Sequence, residues 1–408
     1  MKLQLEPTPY IQSTSINLPA SKSESNRALI IQALSQYHIN LQNISNARDT
    51  QTMLRLLQSA AYELDVLDAG TTMRFLTAFC TVSNRKTLLT GTLRMQERPI
   101  KLLVDALNTL GGTITYQKNQ GFPPILISDD FTQRTNTISI PGNISSQYIS
   151  ALLLIAPVLP KGLKIQLENE VSSRPYIEMT LALMALFGAK HQWIDNTISV
   201  ESGGYTLQST YTIESDWSAA SYWFSMVALA EKAKITLPWL KKASLQGDSA
   251  IVGIMEKLGV TTTWQDEGLT LSKNDKRVEV LEQDFLDCPD IAQTVAVCCA
   301  ALGVKGKFSG LHSLRIKETD RIAALQNELA KVGATFTEIN ENLWTLEPAN
   351  SLPIEVNIHT YEDHRMAMAF APLATKMKVI IEDPKVVEKS YPHFWEDIEK
   401  AGIKTSAI

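Results

Sequence analysis

The sequence predicts an α/β protein made of several small helix-and-strand units, with room for two or three domains. The first ground is size: 408 residues, 44% of them apolar, can build more than one hydrophobic core. The second is a returning pattern: an amphipathic helix, a glycine or small residue, then alternating β sequence. It reads VDALNTLGGTITY around Gly111, LALMALFGAKHQW around Gly188, IVGIMEKLGVTTTW around Gly259 and LQNELAKVGATFTEI around Gly333. A truncated copy, IEKAGIKT, surrounds Gly402, and a degenerate one, MLRLLQSAAYEL, carries Ala60 in place of glycine. A glycine there suits the left-handed residue that ends a helix. The spacing of roughly 70 residues exceeds that of solenoid layers, so each copy should be a small α/β subdomain. Helix–Gly–strand junctions also occur throughout ordinary α/β proteins, so the pattern alone leaves the grouping open.

Bulk properties narrow the function classes. A net charge of −5 speaks against general nucleic-acid binding, which needs surplus basic residues to neutralise phosphates. It leaves room for small anionic ligands, because a cleft can gather Lys and Arg while the outer surface stays acidic. No apolar run approaches the roughly eighteen residues of a membrane span, and Met1 runs straight into strand-like sequence. No membrane association, signal peptide or transit peptide is expected. Cys80, Cys288, Cys298 and Cys299 form no CxxC pair and read as buried reduced thiols, which fits the cytoplasm. The best candidate boundary is the polar stretch from Tyr205 to Asp216, and the first dozen residues could form a strand belonging with the second half.

The chemistry gathers at helix beginnings. In LPASKSESNRALIIQAL, Ser21 and Glu24 have capping-box spacing. Lys22 and Ser23 then fall in the first turn, with Arg27 one turn further along the same face. Free backbone N–H groups, the positive end of the helix dipole, an ammonium and a hydroxyl converge there, and such a spot binds an anion. A plain capped surface helix fits the same residues. Similar starts recur. Gly70, Thr71 and Thr72 precede a helix carrying Arg74, and Ser145, Ser146 and Gln147 precede another. Ser173 and Arg174 stand before Pro175, a residue favoured in a first turn. Lys317, Glu318 and Arg321 meet at a further start. Thr360 and Asp363 form a second capping-box pair, with His364 and Arg365 inside the turn. Each alone describes a routine cap; together they suggest helices aimed at a shared anionic ligand, each charge-assisted contact contributing about 1.5–3 kcal/mol. Arg98, in MQERPI, suits bidentate grip of carboxylate or phosphate, or is a solvated loop charge. Lys385 and Lys389 lie in a polar segment where a lysine is expected to be solvated.

Absent motifs are informative as well. There is no GxxxxGK[ST] loop, no GxGxxG fingerprint and no GxSxG elbow. No HExxH or Cys/His cluster suggests a metal. Phosphate recognition would come from helix ends, Ser/Thr and Arg/Lys, with no metal or other cofactor expected.

SKSESNR, DAGTTMR, QERPI, SSQY, SRPYIE, PDIA, IKETDR, EDHRMAMAF and EDPKVVEKSYP occur in the order expected of the 3-phosphoshikimate 1-carboxyvinyltransferase (EPSP synthase) family. The chain resembles that family from about residue 18 to 398. The resemblance implies an enolpyruvyl-transferase fold of two domains, each of three βαβαββ units, with helix N-termini facing an interdomain active-site cleft. One domain would hold residues 20–212, on the shikimate 3-phosphate side. The other would hold 1–19 plus 213–408, on the phosphoenolpyruvate side, the chain crossing twice.

It implies, further, a transferase that moves the carboxyvinyl group of phosphoenolpyruvate to the 5-hydroxyl of shikimate 3-phosphate, releasing phosphate, on the route to chorismate and the aromatic amino acids. Its partners would be those two small molecules, and it would act as a monomer. By resemblance, Lys22, Ser23, Arg27, Ser145, Ser146, Gln147, Ser173, Tyr176, Asp290, Ser313 and Lys317 match positions around shikimate 3-phosphate. Lys22, Gly70, Arg98, Gln147, Arg321, Arg365 and Lys389 match those around phosphoenolpyruvate. Asp290 and Glu318 match the acid–base carboxylates, with Lys317 and Lys22 beside the reacting groups. Ala20, Asp68, Phe75 and Ser313 depart from the common Gly, Asn, Pro and Asn of the family. Asp68 beside an anion is odd unless it points away or pairs with Arg74. The related transferase acting on UDP-N-acetylglucosamine commonly carries a loop cysteine before its RP dipeptide, and TLRMQERPI has none. A non-catalytic phosphometabolite binder would not need Asp290, Glu318 and Lys317 together.

Overall fold

The computed structural model describes residues 1–408, with every side chain except that of Ser209. The chain forms two compact units, Ala20–Ile213 and Met1–Pro19 with Glu214–Ile408.

Ala20–Ile213 is built on one repeated plan. In its middle part, strands Glu63–Asp65 and Thr87–Thr90 run parallel, and the hairpin of Ile114–Tyr116 and Ile125–Ile127 adds antiparallel to the second. Strands Thr137–Pro141, Leu163–Glu168, Thr197–Val200 and His191–Ile194 repeat the same order. A helix joins each parallel pair, Gly70–Val82 in one case and Ser146–Ile155 in the other, and a second helix leads into each hairpin. LKIQLE at Leu163–Glu168 alternates buried and exposed along its length, as a strand with one covered face must. The remaining copy is incomplete. Helices Lys22–Leu34 and Arg48–Gln58 flank strand Ile39–Gln42, which pairs only with Ser209–Thr212, in parallel. The segment after Gln58 contributes Glu63–Asp65 to the next sheet, so no hairpin follows. The degenerate sequence around Ala60 marks that truncation.

The other unit carries three complete copies. Each has a parallel pair followed by two antiparallel strands: Thr14–Ser15, Lys234–Pro238, Gly268–Lys273, Val260–Gln265; then Val280–Asp284, Lys305–Ser309, Leu343–Glu347, Thr335–Asn340. In the third, Glu355–Ile358 and Lys378–Glu382 are parallel, and Lys2–Leu5 lies antiparallel between Lys378–Glu382 and Thr405–Ala407. The first strand of the chain thus completes the last sheet.

Gly111, Gly188, Gly259, Gly333 and Gly402 all hold positive φ just past a helix, as the repeat predicts. Gly111 shows why the residue type matters. Its φ is +124°, and a Cβ there would fall 1.9 Å from the Thr132 carbonyl oxygen.

Three helices of the larger unit, Trp217–Leu229, Ala292–Leu302 and His364–Phe370, are buried at every position except Ser218. A helix buried on all sides keeps its charged groups to its ends. Their starts are where Asp216, Asp290 and Asp363 stand. The four cysteines are buried free thiols. Among the described residues no helix is long and apolar enough to cross a membrane.

Candidate active site

Within Ala20–Ile213 the Gly70 helix packs on the Ser146 helix, which packs on the Arg174–Leu186 helix, and the Lys22 helix touches all three. Their first turns therefore share one end of the bundle. Ser21 caps the Lys22 helix by accepting from the Glu24 N–H at 3.4 Å, while Glu24 Oε1 accepts from the Tyr211 hydroxyl at 2.7 Å. Lys22 Nζ sits 3.2 Å from Asp49 Oδ2, a buried carboxylate whose backbone carbonyl also accepts from Thr72. Gln147 Nε2 donates to Thr71 Oγ1 at 3.3 Å, tying two helix starts together. Ser145 caps its helix through the Gln147 N–H. Ser173 takes the left-handed conformation, φ 54°, ahead of Pro175.

Arg27 knits these helices from inside. Its Nε donates to Thr180 at 2.7 Å, its Nη1 to the Ser23 carbonyl, and its Nη2 to Ser150 and the Tyr176 carbonyl. Burial draws its pKa down to about 10, with Tyr176 and Glu24 opposing, so it stays charged at neutral pH. Arg98 is buried with its guanidinium laid on Gly70, where a Cβ would meet Nη1 at 2.5 Å. Arg74 holds this corner by donating to the Gly70 and Pro99 carbonyls, and Tyr148 Oη donates to the same Pro99 carbonyl.

In the larger unit the centre is Asp290, just ahead of the Ala292 helix. Its Oδ1 lies 3.0 Å from Arg321 Nη1 and 3.7 Å from Lys317 Nζ, and its Oδ2 lies 2.9 Å from Arg365 Nη2. Arg321 Nη2 binds Glu318 Oε2 at 2.7 Å, and Nε binds Asp363 Oδ2 at 2.6 Å. Three carboxylates, Asp290, Glu318 and Asp363, thus share one buried guanidinium. Burial alone would raise the Asp290 pKa, but Arg365, Lys317 and Arg321 outweigh it and hold the group well below the usual carboxylate range. Burial opposes the Arg321 charge, yet Asp363, Glu318 and Asp290 prevail and raise its pKa. Arg365 also reaches the Asp290 carbonyl, Tyr222 Oη and Ser218 Oγ. Burial pushes the Tyr222 phenol up, so it stays neutral as donor and acceptor. No group of three or more His, Cys, Asp or Glu suited to a metal ion occurs among the described residues.

The structure therefore gathers Lys22, Ser23, Arg27, Gly70, Arg98, Ser145, Ser146, Gln147, Ser173 and Tyr176 around four helix starts, and Asp290, Lys317, Glu318, Arg321 and Arg365 around one ionic network. Ser313 sits half-buried in the turn His312–Ile316 that leads to Lys317. Several expectations need correction. Gly70 to Thr72 form the first turn of their helix and do not precede it, and Ser146 and Gln147 likewise lie inside theirs, with only Ser145 ahead as the cap. The His364 helix is capped by Asp363, which accepts from the Arg365 N–H, and not by Thr360; Tyr361 and Glu362 take positive φ and break the turn before it. Lys389 is buried in the turn Pro384–Lys389, where Val386 and Val387 also face inward, so it is no solvated lysine. Arg98 is likewise buried. Asp68 pairs with Arg48 at 3.0 Å. Arg174 turns outward, stacking on Trp193 and pairing with Glu178. Sequence reading missed Asp49, Ser218, Tyr222 and Asp248, which lie far along the chain from the motifs they support. For Asp49, a buried acid standing opposite Lys22 is the signal that could have flagged it.

The helix starts of Ala20–Ile213 present cationic and hydroxyl groups that suit a phosphorylated anion, and in the larger unit three carboxylates gather on Arg321. Comparison with known proteins narrows the class. The model for EPSP synthase (3-phosphoshikimate 1-carboxyvinyltransferase) matches residues 8–65 and 58–398. The chain is 48% identical over 406 residues to 3-phosphoshikimate 1-carboxyvinyltransferase of Bacteroides fragilis (strain YCH46), covering 98% of each. It is 34% identical over 429 residues to the protein of that name from Escherichia coli (strain K12 / DH10B), again covering 98% of each. A solved EPSP synthase structure from Acinetobacter baumannii shares the fold over 100% of both chains, with TM-score 0.81 at 19% identity. The chain belongs to the EPSP synthase family.

Proposed function

We propose that this chain is the transferase its family is named for, moving the carboxyvinyl group of phosphoenolpyruvate to the 5-hydroxyl of shikimate 3-phosphate with release of phosphate. It serves aromatic amino-acid biosynthesis by way of chorismate, in the cytoplasm and as a monomer. The observation that carries the reading is the Asp290–Arg321–Glu318 arrangement, with Lys317 and Arg365 on Asp290.

Shikimate 3-phosphate is held by Ala20–Ile213, its phosphate among Ser145, Ser146, Ser173 and Lys22. Ser23, Gln147 and Tyr176 orient the ring, and Arg27 fixes the helix starts beneath it. Phosphoenolpyruvate is gripped by Arg98 over Gly70, with Lys22 and Gln147, and by Arg365 and Lys389 of the larger unit, while Arg321 holds Asp290 and Glu318 beside it. Asp290 takes the proton of the attacking hydroxyl. Glu318, beside Lys317, delivers a proton to the methylene carbon. The C2–O bond then forms, giving a tetrahedral adduct. Glu318 takes a proton back from the new methyl group as the bond from C2 to the phosphate oxygen breaks, and Asp290 returns its proton to the departing phosphate. The cations stabilise the phosphate as it leaves. Before substrate arrives Asp290 is a weak base, since three cations hold its charge. A bound phosphate or carboxylate would draw on those same cations and return basicity to Asp290 when it is needed.

Incubation with shikimate 3-phosphate and phosphoenolpyruvate, following phosphate and the enol ether, tests the reading. Asp290→Asn and Glu318→Gln are expected to lower kcat by about 10²–10⁴-fold. Near-normal turnover in either variant would overturn its assigned role.

A further inference from the structure

One buried acid close to this network has no part in the chemistry above. Asp248 lies in the turn Gly247–Ala250, packed against the Trp217 helix, and is 3% exposed. Its Oδ2 meets Ser218 Oγ, and its Oδ1 has no hydrogen-bond partner within the protein. Ser218, the one residue of its helix that is not buried, accepts from Arg365 Nη2 at 3.4 Å. The same nitrogen lies 2.9 Å from Asp290 Oδ2. Asp248, Ser218, Arg365 and Asp290 thus form one continuous polar run.

We propose that Asp248 is a positioning residue that takes up a proton from solvent when phosphoenolpyruvate engages Arg365, and that its protonation, read through Ser218, sets how Arg365 is divided between substrate and Asp290. The proposal rests on the functional reading above.

A buried carboxylate with an unpartnered oxygen is costly when charged and far less so when neutral. The charged and titratable groups facing it are Asp290, Arg365 and Asp216, with the Cys288 thiol also nearby. Burial, then the Asp290 charge, push its pKa up to about 7, against the pull of Arg365 and the Ser218 bond. It is therefore poised between its two states near neutral pH. An anion on Arg365 offsets the cation that favours ionised Asp248, and the equilibrium moves to the protonated form. Ionised Asp248 accepts the Ser218 hydrogen, which leaves a lone pair of Ser218 for Arg365. Protonated Asp248 instead donates to Ser218, whose own hydrogen must turn elsewhere, and the hold on Arg365 Nη2 weakens. The arginine is then freer to close on the substrate.

Calorimetric titration with phosphoenolpyruvate alone, in two buffers of different ionisation enthalpy at pH 7.5, reads the proton directly. Wild-type protein should take up as much as about one proton more than Asp248→Asn, the titration of the substrate itself being common to both. In steady state, KM for phosphoenolpyruvate should rise about 3–10-fold more between pH 7 and 9 in the wild type than in Asp248→Asn. Ser218→Ala removes the donor that favours the charged form, so it should move the proton-uptake transition to higher pH. That variant also serves if Asp248→Asn fails to fold. Equal uptake in wild type and Asp248→Asn, or a transition unmoved by Ser218→Ala, would overturn the proposal. Wild-type turnover separates the failures. An active enzyme without Asp248-dependent uptake sinks this inference alone, whereas no product from the two substrates sinks the functional reading and this with it.

Discussion

Gly70 is the first residue of its helix, and its Cα carries the guanidinium of Arg98. A methyl group there would stand 2.5 Å from Nη1 and 2.9 Å from both Cζ and Nη2, whereas ordinary contact begins at 3.4 Å. Arg98 must retreat by about 0.9 Å in Gly70→Ala, or swing away. A displacement near 1 Å is enough to break one charge-assisted bond to a substrate carboxylate or phosphate, worth about 1.5–3 kcal/mol. Each 1.36 kcal/mol is tenfold, so kcat/KM for phosphoenolpyruvate should fall about 10–100-fold. Gly70 has no left-handed backbone, so alanine in this helical turn should raise stability slightly, by about 0.5–1 kcal/mol. A protein that melts higher yet binds phosphoenolpyruvate worse is the expected signature. Steady-state kinetics with each substrate varied in turn, together with a thermal melt, read both effects. The sharper check is a double-mutant cycle: Gly70→Ala made in an Arg98→Ala background should cost almost nothing further. If it costs as much there as in the wild type, the loss does not run through Arg98 and the reasoning fails.

Two further predictions concern stability. Gly111→Ala combines φ +124° with a Cβ placed 1.9 Å from the Thr132 carbonyl, and should destabilise by about 2–4 kcal/mol. Gly303→Ala, at φ +74° with nothing near its Cβ, should cost only about 1 kcal/mol, and equal melting-temperature losses in the two variants would refute the steric account. The folded-state pKa of Asp290 is depressed, so its contribution to stability is full above about pH 4, the unfolded value, and is lost as pH falls towards the lower folded value. Asp290→Asn leaves Arg321 and Arg365 less compensated and should be less stable at pH 7, by about 3–5 kcal/mol if the site does not relax. The gap should narrow below pH 4 at up to about 1.4 kcal/mol per pH unit in denaturant titrations, and a constant gap from pH 7 to pH 3 would contradict the charge-pairing account.

The repeat was legible because it is written in local physics. A helix that ends on a left-handed residue leaves a glycine, and a strand with one covered face leaves alternation, so Gly111, Gly188, Gly259, Gly333 and Gly402 could be marked in advance. The copy around Ala60 read only as degenerate, and its missing hairpin shows in the sheets alone. The helix start at Lys22 followed from capping chemistry, with Ser21 as the cap. The His364 start did not, because Thr360 and Asp363 both satisfy the cap rule and only the backbone of Tyr361 and Glu362 decides between them. Burial of Lys389 and Arg98 was equally out of reach: a cation in a polar stretch looks solvated until tertiary packing encloses it. The acids opposite the cations, Asp49 for Lys22 and Asp363 for Arg321, lie 27 and 42 residues away in sequence, and no local period joins such pairs.

Arg27 and Arg321 do the same structural work with opposite partners, and the contrast explains a division of chemistry. Each is buried at a helix start and spreads its guanidinium over neighbouring elements. The partners of Arg27 are hydroxyls and carbonyls, which satisfy its N–H groups without cancelling its charge, and burial draws its pKa down to about 10. The partners of Arg321 are three carboxylates, which hold its pKa up. A positive charge offset only by Glu24 nearby attracts an anionic group and suits the anchoring of a phosphate ester. In the second network Arg321, Arg365 and Lys317 stand against Asp290, Glu318 and Asp363, so the charges balance and small changes in occupancy shift protons instead. Arg321 has committed Nε, Nη1 and Nη2 to carboxylates, which leaves little of a guanidinium for direct contact with substrate. In the proposed reaction its influence on phosphoenolpyruvate therefore runs mainly through two of the carboxylates it holds, Asp290 and Glu318, while Arg365, on Asp290 Oδ2, can exchange a protein partner for a substrate oxygen.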